Sequence, residues 1–133
     1  HHNSGRRQRQ MCIRDRMGTR FVSSVESPVH ENFKNKIIDS GIDGTLILNK
    51  SSKPVIRALK SNLTDDINQQ GVMDMTALVN IKELYFGGDM EAAPALSGQS
   101  TGLIHEVKSV KIIIEEIINE FNEVCESMGK IKF

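Results

Sequence analysis

The sequence contains few cysteines and no long apolar run. Its two cysteines are Cys12 and Cys125, too few for a disulfide framework or a cysteine-based metal site. No apolar segment approaches the roughly 20 residues that a bilayer-spanning helix needs. The first residues also lack the apolar core of a signal peptide. We therefore predict a soluble, cytoplasmic protein that neither crosses nor enters a membrane.

The chain also lacks an excess of one sign of charge: its formal net charge is zero, because 17 basic residues balance 17 acidic ones. The charges are unevenly distributed, since residues 1–16 hold five arginines and one aspartate. Removing these from the count leaves the rest of the chain with an excess of four acidic residues. Such an acidic body argues against a nucleic-acid surface.

Residues 6–16 read RRQRQMCIRDR, which resembles the translation of a transposase-type sequencing adapter. The stretch is polar and shows neither helical nor strand periodicity. We treat residues 1–16 as a non-native leader and predict that they are disordered; the alternative is a native basic arm for nucleic acid. Outside the leader, Cys125 falls on the apolar stripe of a predicted helix, which favours buried packing over a reactive thiol.

The first half of the remaining chain predicts strands and helices in alternation. Residues 17–25 form a β-compatible run, and a helix over 28–40 should follow, with Ser27 as N-cap and Gly41 as the stop. A short strand is predicted over 45–48, followed by a turn over 49–54. Next come a helix beginning within 55–63, a loop over 64–71 and a helix over 75–85.

The second half predicts a loop and then the clearest helix of the sequence. Residues 87–102 read GGDMEAAPALSGQSTG, a run of small residues that suits close approach of the backbone to a ligand. Ser109 caps a helix that runs to about residue 127 and carries a strong apolar stripe. This stripe and the first strand need a sheet to pack against, so we predict further strands upstream of Met17.

Two short segments are candidate binding sites. Gly18 and Thr19 offer exposed N–H groups and a hydroxyl that can hold a phosphate dianion, although an ordinary strand entry is the simpler interpretation. Residues 97–99 offer a serine hydroxyl and a glutamine amide, suited either to a polar ligand or to a surface turn. His30, in the first turn of a helix, is expected to be solvated. His105, in a loop beside Glu106, is expected to be structural or exposed.

Five segments occur in order: MGTRF, ES-x-x-H, K-P-x-x-R-A-L-K, GGDMEAAPALSGQSTGLI and E-V-K-S-V-K-x-I-I-E-E-I. Together they resemble the nitronate monooxygenase family, which includes the type II enoyl-acyl-carrier-protein reductases, over essentially all of 17–133. The resemblance implies an α/β fold, the carboxy-terminal fragment of an FMN-binding TIM (β/α)₈ barrel. Its parts would be the last barrel strand (17–27), a small, mostly helical inserted domain (28–90), and a flavin-proximal loop with the C-terminal barrel helix (91–133).

The resemblance also implies a cofactor site. The backbone and threonine of Met17, Gly18 and Thr19 would contact the FMN phosphate, and Ser97, Gly98 and Gln99 would return near the flavin. It assigns no catalytic residue and no metal ligand here, because the family's catalytic histidine belongs to the barrel and matches neither His30 nor His105.

The implied activity is oxidation of alkyl nitronates by oxygen, with NAD(P)H-dependent reduction of an enoyl thioester as the alternative. The larger protein would act on a small molecule, without nucleic acid or membrane, and could be a homodimer. We expect the chain alone to be inactive. A free-standing helical interaction module built on residues 109–127 is the alternative from a different class of function.

Overall fold

The computed structural model describes residues 17–129, so the predicted disorder of residues 1–16 lies outside the described part. Within it the fold is mixed α/β, in agreement with the predicted class. The main elements, in chain order, are α1 (Gly18–Val22), α2 (Glu31–Asp39), β1 (Thr45–Leu48), β2 (Ile56–Leu59), α3 (Asn62–Gln70) and α4 (Val110–Gly129). Shorter helical turns span Met75–Leu78, Glu83–Gly87 and Gln99–Leu103. None of the described helices is long and apolar enough to span a membrane.

Strand β2 replaces the helix that the sequence predicted to begin within 55–63. It pairs antiparallel with β1, and Leu48 lies opposite Ile56. Its other edge is also occupied: the N–H of Leu59 donates to the C=O of Ala95 at 2.8 Å, and the N–H of Ser97 donates to the C=O of Arg57 at 3.1 Å. Because neighbours on both sides satisfy the backbone of this short segment, the extended conformation is favoured over the helix.

The two faces of β2 belong to two apolar clusters. Ala58 contributes to one cluster with Leu48, Ile67 and Met73. Leu59 contributes to the other, which is centred on the α2 side chains and also contacts α1; its buried members are Phe33, Ile37, Leu59, Leu84, Ala93, Ala95 and Ile104. Successive side chains of a strand point to opposite faces, so the hairpin separates the two cores.

Helix α3 occupies most of the segment that the sequence predicted to be a loop over 64–71. A capping box begins the helix: the N–H of Thr64 donates to Ser61 Oγ at 3.3 Å, and the N–H of Ser61 donates to Thr64 Oγ1 at 2.7 Å. Gly71 ends it in the left-handed conformation, with φ of 76°. Within α3 only Thr64 and Ile67 are buried, so the polar composition reflects a helix that contacts the core along a narrow stripe.

Helix α1 lies where the sequence predicted a strand over 17–25, and that prediction is wrong for residues 18–22. The described residues offer this segment one isolated parallel bridge, between Ser24 and Lys108. A strand without a continuous partner leaves its backbone groups unpaired, whereas a helical turn pairs them internally. The N–H of Ser23 completes the turn by donating to the C=O of Thr19 at 3.2 Å.

Helix α2 begins later than predicted and has a different N-cap. It starts at Glu31 rather than at residue 28, and the cap is His30 rather than Ser27. The N–H of Asn32 donates to His30 Nδ1 at 3.1 Å. An imidazole nitrogen can replace the usual cap oxygen here because it is an acceptor at the right distance. The helix ends at Asp39, before Gly41 as predicted.

The segment predicted as one helix over 75–85 is split into a 3₁₀ turn, Met75–Leu78, and a π-helical turn, Glu83–Gly87. Asp74 caps the first turn by accepting the N–H of Thr76 at 3.0 Å, and this hydrogen bond holds the pKa of Asp74 below its ordinary 3.8. The segment 28–90, predicted as a mostly helical inserted domain, contains the β1–β2 hairpin as well as helices.

Helix α4 confirms the strongest helix prediction, including Ser109 as N-cap, whose Oγ accepts the N–H of Ile112 at 3.4 Å. The carboxylate of Glu26 also accepts the N–H of Val110, at 2.9 Å. Among the helix residues only Ile113 is buried. Cys125 is exposed, so its predicted burial is wrong for the described residues.

Candidate functional site

Helix α1 and the loop before the 3₁₀ turn Gln99–Leu103 meet at Thr19 and Gly98. The N–H of Gly98 donates to Thr19 Oγ1 at 2.8 Å. A Cβ atom on residue 98 would lie 3.0 Å from the same oxygen, so a larger residue here would force Thr19 to shift. The structure thus joins two of the segments that the sequence selected as candidate sites.

The contact leaves hydrogen-bond donors available around Thr19. Because Thr19 Oγ1 accepts from Gly98, the hydroxyl hydrogen is free to be donated, and residues 17–129 supply no acceptor for it. The side chain of Met17, the N-cap of α1, does not cap the first-turn N–H groups. A Cβ on Gly18 would meet nothing within 4 Å. This surface therefore offers donors, and space for a negatively charged oxygen.

Ser97 has the opposite hydrogen-bonding character. Its Oγ lies 2.5 Å from Thr101 Oγ1, and Thr101 Oγ1 donates to the C=O of Gly98 at 2.7 Å. A hydroxyl has one hydrogen. Thr101 donates its hydrogen to the C=O of Gly98, so Thr101 Oγ1 accepts the hydrogen bond from the Ser97 hydroxyl. The lone pairs of Ser97 then remain available to accept a hydrogen bond from a ligand.

A shallow depression of about 400 Å³ lies beside the contact. Four of the six predicted site residues line it: Gly18, Thr19, Ser97 and Gly98. The structure does not place the other two there. Met17 lines a second depression, and Gln99 is exposed.

Arg57 lines the same depression and was not selected from the sequence. Its Nη1 donates to Thr45 Oγ1 at 3.0 Å, across the β1–β2 hairpin. The sequence predicted a helix beginning within 55–63, where the structure has strand β2. The face that the Arg57 side chain occupies follows from the two-residue period of a strand, so it could not be predicted from a helix. The available signal was the run VIRAL, which is as compatible with a buried strand as with a helix.

The second depression, about 390 Å³, lies between α1 and α4 and is bordered by paired charges. Lys108 Nζ lies 2.7 Å from Glu106 and 2.6 Å from Glu116. The hydrogen bond from Lys108 lowers the pKa of Glu106 below the ordinary 4.5. The hydrogen bonds to Glu106 and Glu116 raise the pKa of Lys108 above the ordinary 10.5. Arg20 Nη1 donates to the C=O of Glu106 at 2.8 Å. These groups satisfy one another and hold α1 near the start of α4.

Neither histidine occupies a catalytic arrangement in the described residues. His30 uses Nδ1 to cap α2 and packs over Gly88, which adopts a φ of 80°. It is therefore a structural residue, partly buried, rather than the solvated one that we expected. His105 is exposed at the margin of the second depression.

Sequence comparison matches residues 15–120 to the model of a family described as nitronate monooxygenase. This chain belongs to the nitronate monooxygenase family. The match includes both segments of the Thr19–Gly98 contact and confirms the family resemblance found in the sequence. Comparison with curated proteins gave no match.

Solved structures similar to this nitronate monooxygenase family member include FabK from Thermotoga maritima. The two chains are 36% identical with a TM-score of 0.74, over 86% of this chain and 39% of the FabK chain. A point mutant of that FabK is 38% identical with a TM-score of 0.72, over 86% of this chain and 36% of the other. The chain thus spans between 36% and 39% of the length of these structures.

Proposed function

We propose that this chain supplies the carboxy-terminal part of a flavin-dependent oxidoreductase of the nitronate monooxygenase type. The observation that carries the proposal is the 2.8 Å hydrogen bond between Gly98 and Thr19. It joins two family-matched segments, distant in sequence, at one depression where some hydrogen-bond donors have no acceptor among residues 17–129. Residues 28–90 would then be the inserted part, and 91–133 the return to the flavin and the final helix.

The residues of the depression fit the phosphate end of FMN. A phosphate dianion needs N–H and O–H donors, which the backbone near Gly18 and the hydroxyl of Thr19 offer. Ser97 offers an acceptor, so it suits a donor group elsewhere on the cofactor or substrate. Met17, through its backbone, and Gln99, through its amide, would contact the cofactor from the margins. The bound flavin would supply the electron transfer, and the protein would supply binding, orientation and exclusion of water.

A catalytic base is not assigned to this chain. A general base needs a free site within reach of the proton that it removes. Nδ1 of His30 accepts the amide hydrogen of Asn32, and His105 is exposed beside the salt-bridged Glu106. We therefore propose that the base belongs to a part of the enzyme outside this chain, and we expect the 133-residue chain alone to turn over no substrate.

The substrate is proposed to be an alkyl nitronate, oxidised with oxygen as the electron acceptor. The alternative, favoured by the FabK structures, is an enoyl thioester reduced with NAD(P)H. The test uses a longer protein that carries these residues downstream of a flavin barrel. It is supplied with ethyl nitronate and oxygen, or with an enoyl thioester and NADPH, and turnover is measured. Flavin-dependent turnover of the nitronate or of the enoyl thioester supports the proposed flavoenzyme and identifies its substrate. A protein that binds no flavin and turns over neither substrate refutes the proposal.

A second candidate function is a helical interaction module, because α4 exposes its apolar residues. The exposed fractions are 53% for Ile118, 65% for Phe121 and 64% for Met128. Isolated apolar residues on a surface are ordinary, but a continuous row marks a contact surface. A cooperatively unfolding monomer of the chain that captures a partner through this row would favour the module. Cooperative unfolding without capture of a partner would favour the enzyme part. Sedimentation of the whole enzyme would show whether it is a homodimer.

A further inference from the structure

The side chain of Arg57 leaves β2 on the face that contacts α1. Alternation along the strand places Arg57 on the same face as Leu59, whose cluster also contacts Val22 of α1. Thr45 lies directly opposite Leu59 in the hairpin, so it shares this face. The 3.0 Å hydrogen bond from Arg57 Nη1 to Thr45 Oγ1 agrees with this placement.

The guanidinium of Arg57 retains most of its donors. A guanidinium has several N–H donors in a planar fork, and within residues 17–129 one hydrogen bond uses them, the bond to Thr45. The salt bridges found among those residues involve Lys108 and Lys111 rather than Arg57. Among the described residues, those that line the depression beside Arg57 include no acidic side chain. Arg57 is therefore a partly buried cation that lines a depression with hydrogen-bond donors, and residues 17–129 place no carboxylate in that lining.

We propose that Arg57 is an anion-binding residue of this site, and that its guanidinium binds a ligand oxyanion in the depression shared with Thr19 and Gly98. The proposal deepens the proposed flavin function and rests on it, because it uses the same depression. Two ligands carry the required chemistry, the phosphate of a flavin nucleotide and the charged oxygens of a nitronate. A planar guanidinium fork can bind either through two parallel hydrogen bonds.

Inorganic phosphate is the first probe, titrated into the 133-residue chain at constant ionic strength with chloride as the reference anion. The NMR signals of the Gly18, Thr19 and Gly98 amides and of Arg57 Nε–H report binding. Arg57→Gln should weaken phosphate binding about tenfold, because it removes a charge-assisted pair. Arg57→Lys keeps the charge without the fork and should weaken it about threefold.

Thr45→Val is the matched control. It removes the hydrogen-bond partner of Arg57 but leaves the guanidinium, so phosphate binding should stay within about twofold of the original chain. If Arg57→Gln fails to fold, Arg57→Lys and Thr45→Val still decide the question. The proposal is overturned if the original chain shows no phosphate response, if the Arg57 variants bind as tightly as the original, or if Thr45→Val loses as much binding as they do.

Further arms identify the source of the anion and separate this proposal from the flavin function. In a chain that binds phosphate, a response of Arg57 Nε–H to FMN but not to riboflavin indicates the cofactor phosphate. A response to ethyl nitronate but not to FMN indicates the substrate. Both support the proposal. Phosphate binding by this chain that depends on Arg57, together with a longer protein that binds no flavin, would retain the anion site and count against the flavin function.

Discussion

Replacing Gly98 with alanine tests the contact on which the site depends. The backbone at Gly98 has φ of −81° and ψ of 168°, which any residue adopts, so the substitution introduces no backbone strain. The new Cβ would lie 3.0 Å from Thr19 Oγ1 and 3.9 Å from Thr19 Cβ. Thr19 must therefore move, and the 2.8 Å hydrogen bond is weakened or lost.

The expected loss combines two effects. A lost hydrogen bond costs about 1 kcal/mol, and overpacking costs about 1–3 kcal/mol where neighbours cannot move. Thr19 is only partly buried and can shift, so we expect the overpacking cost to be at its low end. Gly98→Ala should lower the free energy of unfolding by about 1–2 kcal/mol.

Chemical denaturation followed by circular dichroism measures this loss, and a double-mutant cycle with Thr19→Ala identifies its cause. Once Thr19 is truncated the crowded oxygen is gone, so Gly98→Ala should then cost less than about 0.5 kcal/mol. Gly41→Ala is the matched control, because a Cβ there meets nothing within 4 Å. An equal cost of Gly98→Ala in both backgrounds would refute the Thr19–Gly98 coupling.

Three further predictions concern the scaffold. Asn49 is 4% exposed with φ of 58°; its Nδ2 donates to the C=O of Pro54 at 2.9 Å and its Oδ1 accepts the N–H of Met73 at 3.2 Å. Asn49→Ala should lower the free energy of unfolding in urea by about 2–4 kcal/mol, and Asn49→Gly by about 1 kcal/mol less, since glycine tolerates this φ. Equal losses would show that the left-handed backbone conformation contributes nothing to the cost. His30→Ala should lower the melting temperature by removing a cap that contributes about 1 kcal/mol, whereas His30→Asn should preserve it; a loss in both would exclude capping as the cause. Burial raises the pKa of Tyr85 above its ordinary 10.0, so the unfolded chain ionises first and stability should fall as pH rises through 10. Tyr85 is the single tyrosine, so tyrosinate absorbance in folded and unfolded chains measures both pKa values, and equal values would contradict this prediction.

The elements that the sequence predicted well carry their own signal. Helix α4 has a long apolar stripe and a serine cap, and β1 is a short β-prone run followed by turn residues. Strand β2 was missed because its four residues adopt their conformation through pairing with β1 and with residues 95–97, which are distant in sequence. Helix α3 was missed because its composition is polar and the partner in its capping box is a threonine rather than the usual glutamate or glutamine.

The residues of the candidate site also divide into those that the local sequence revealed and those that only the structure revealed. Gly18, Thr19, Ser97 and Gly98 could be selected because each lies in a short segment whose chemistry or family resemblance is local. The family resemblance implied that both segments lie near the flavin, but their direct contact could not be deduced from the residues, since it depends on how β2 positions residues 95–97. Arg57 could not be placed either, because its face follows from the strand. Local sequence therefore specified the candidate donors, and tertiary pairing determined which of them share a depression.

The two ends of α4 differ in what stabilises them. At its start, Ser109 and Glu26 satisfy free N–H groups, and Lys108 pairs with Ser24. Beyond Ile117 the helix carries apolar residues that are exposed in the described structure, and Phe121 is 65% exposed. A helix of this kind gains most of its stability from packing of its apolar face rather than from intrinsic propensity. The anchored start lies beside the Met17 depression, whereas the far half would gain stability from a surface that covers its apolar residues.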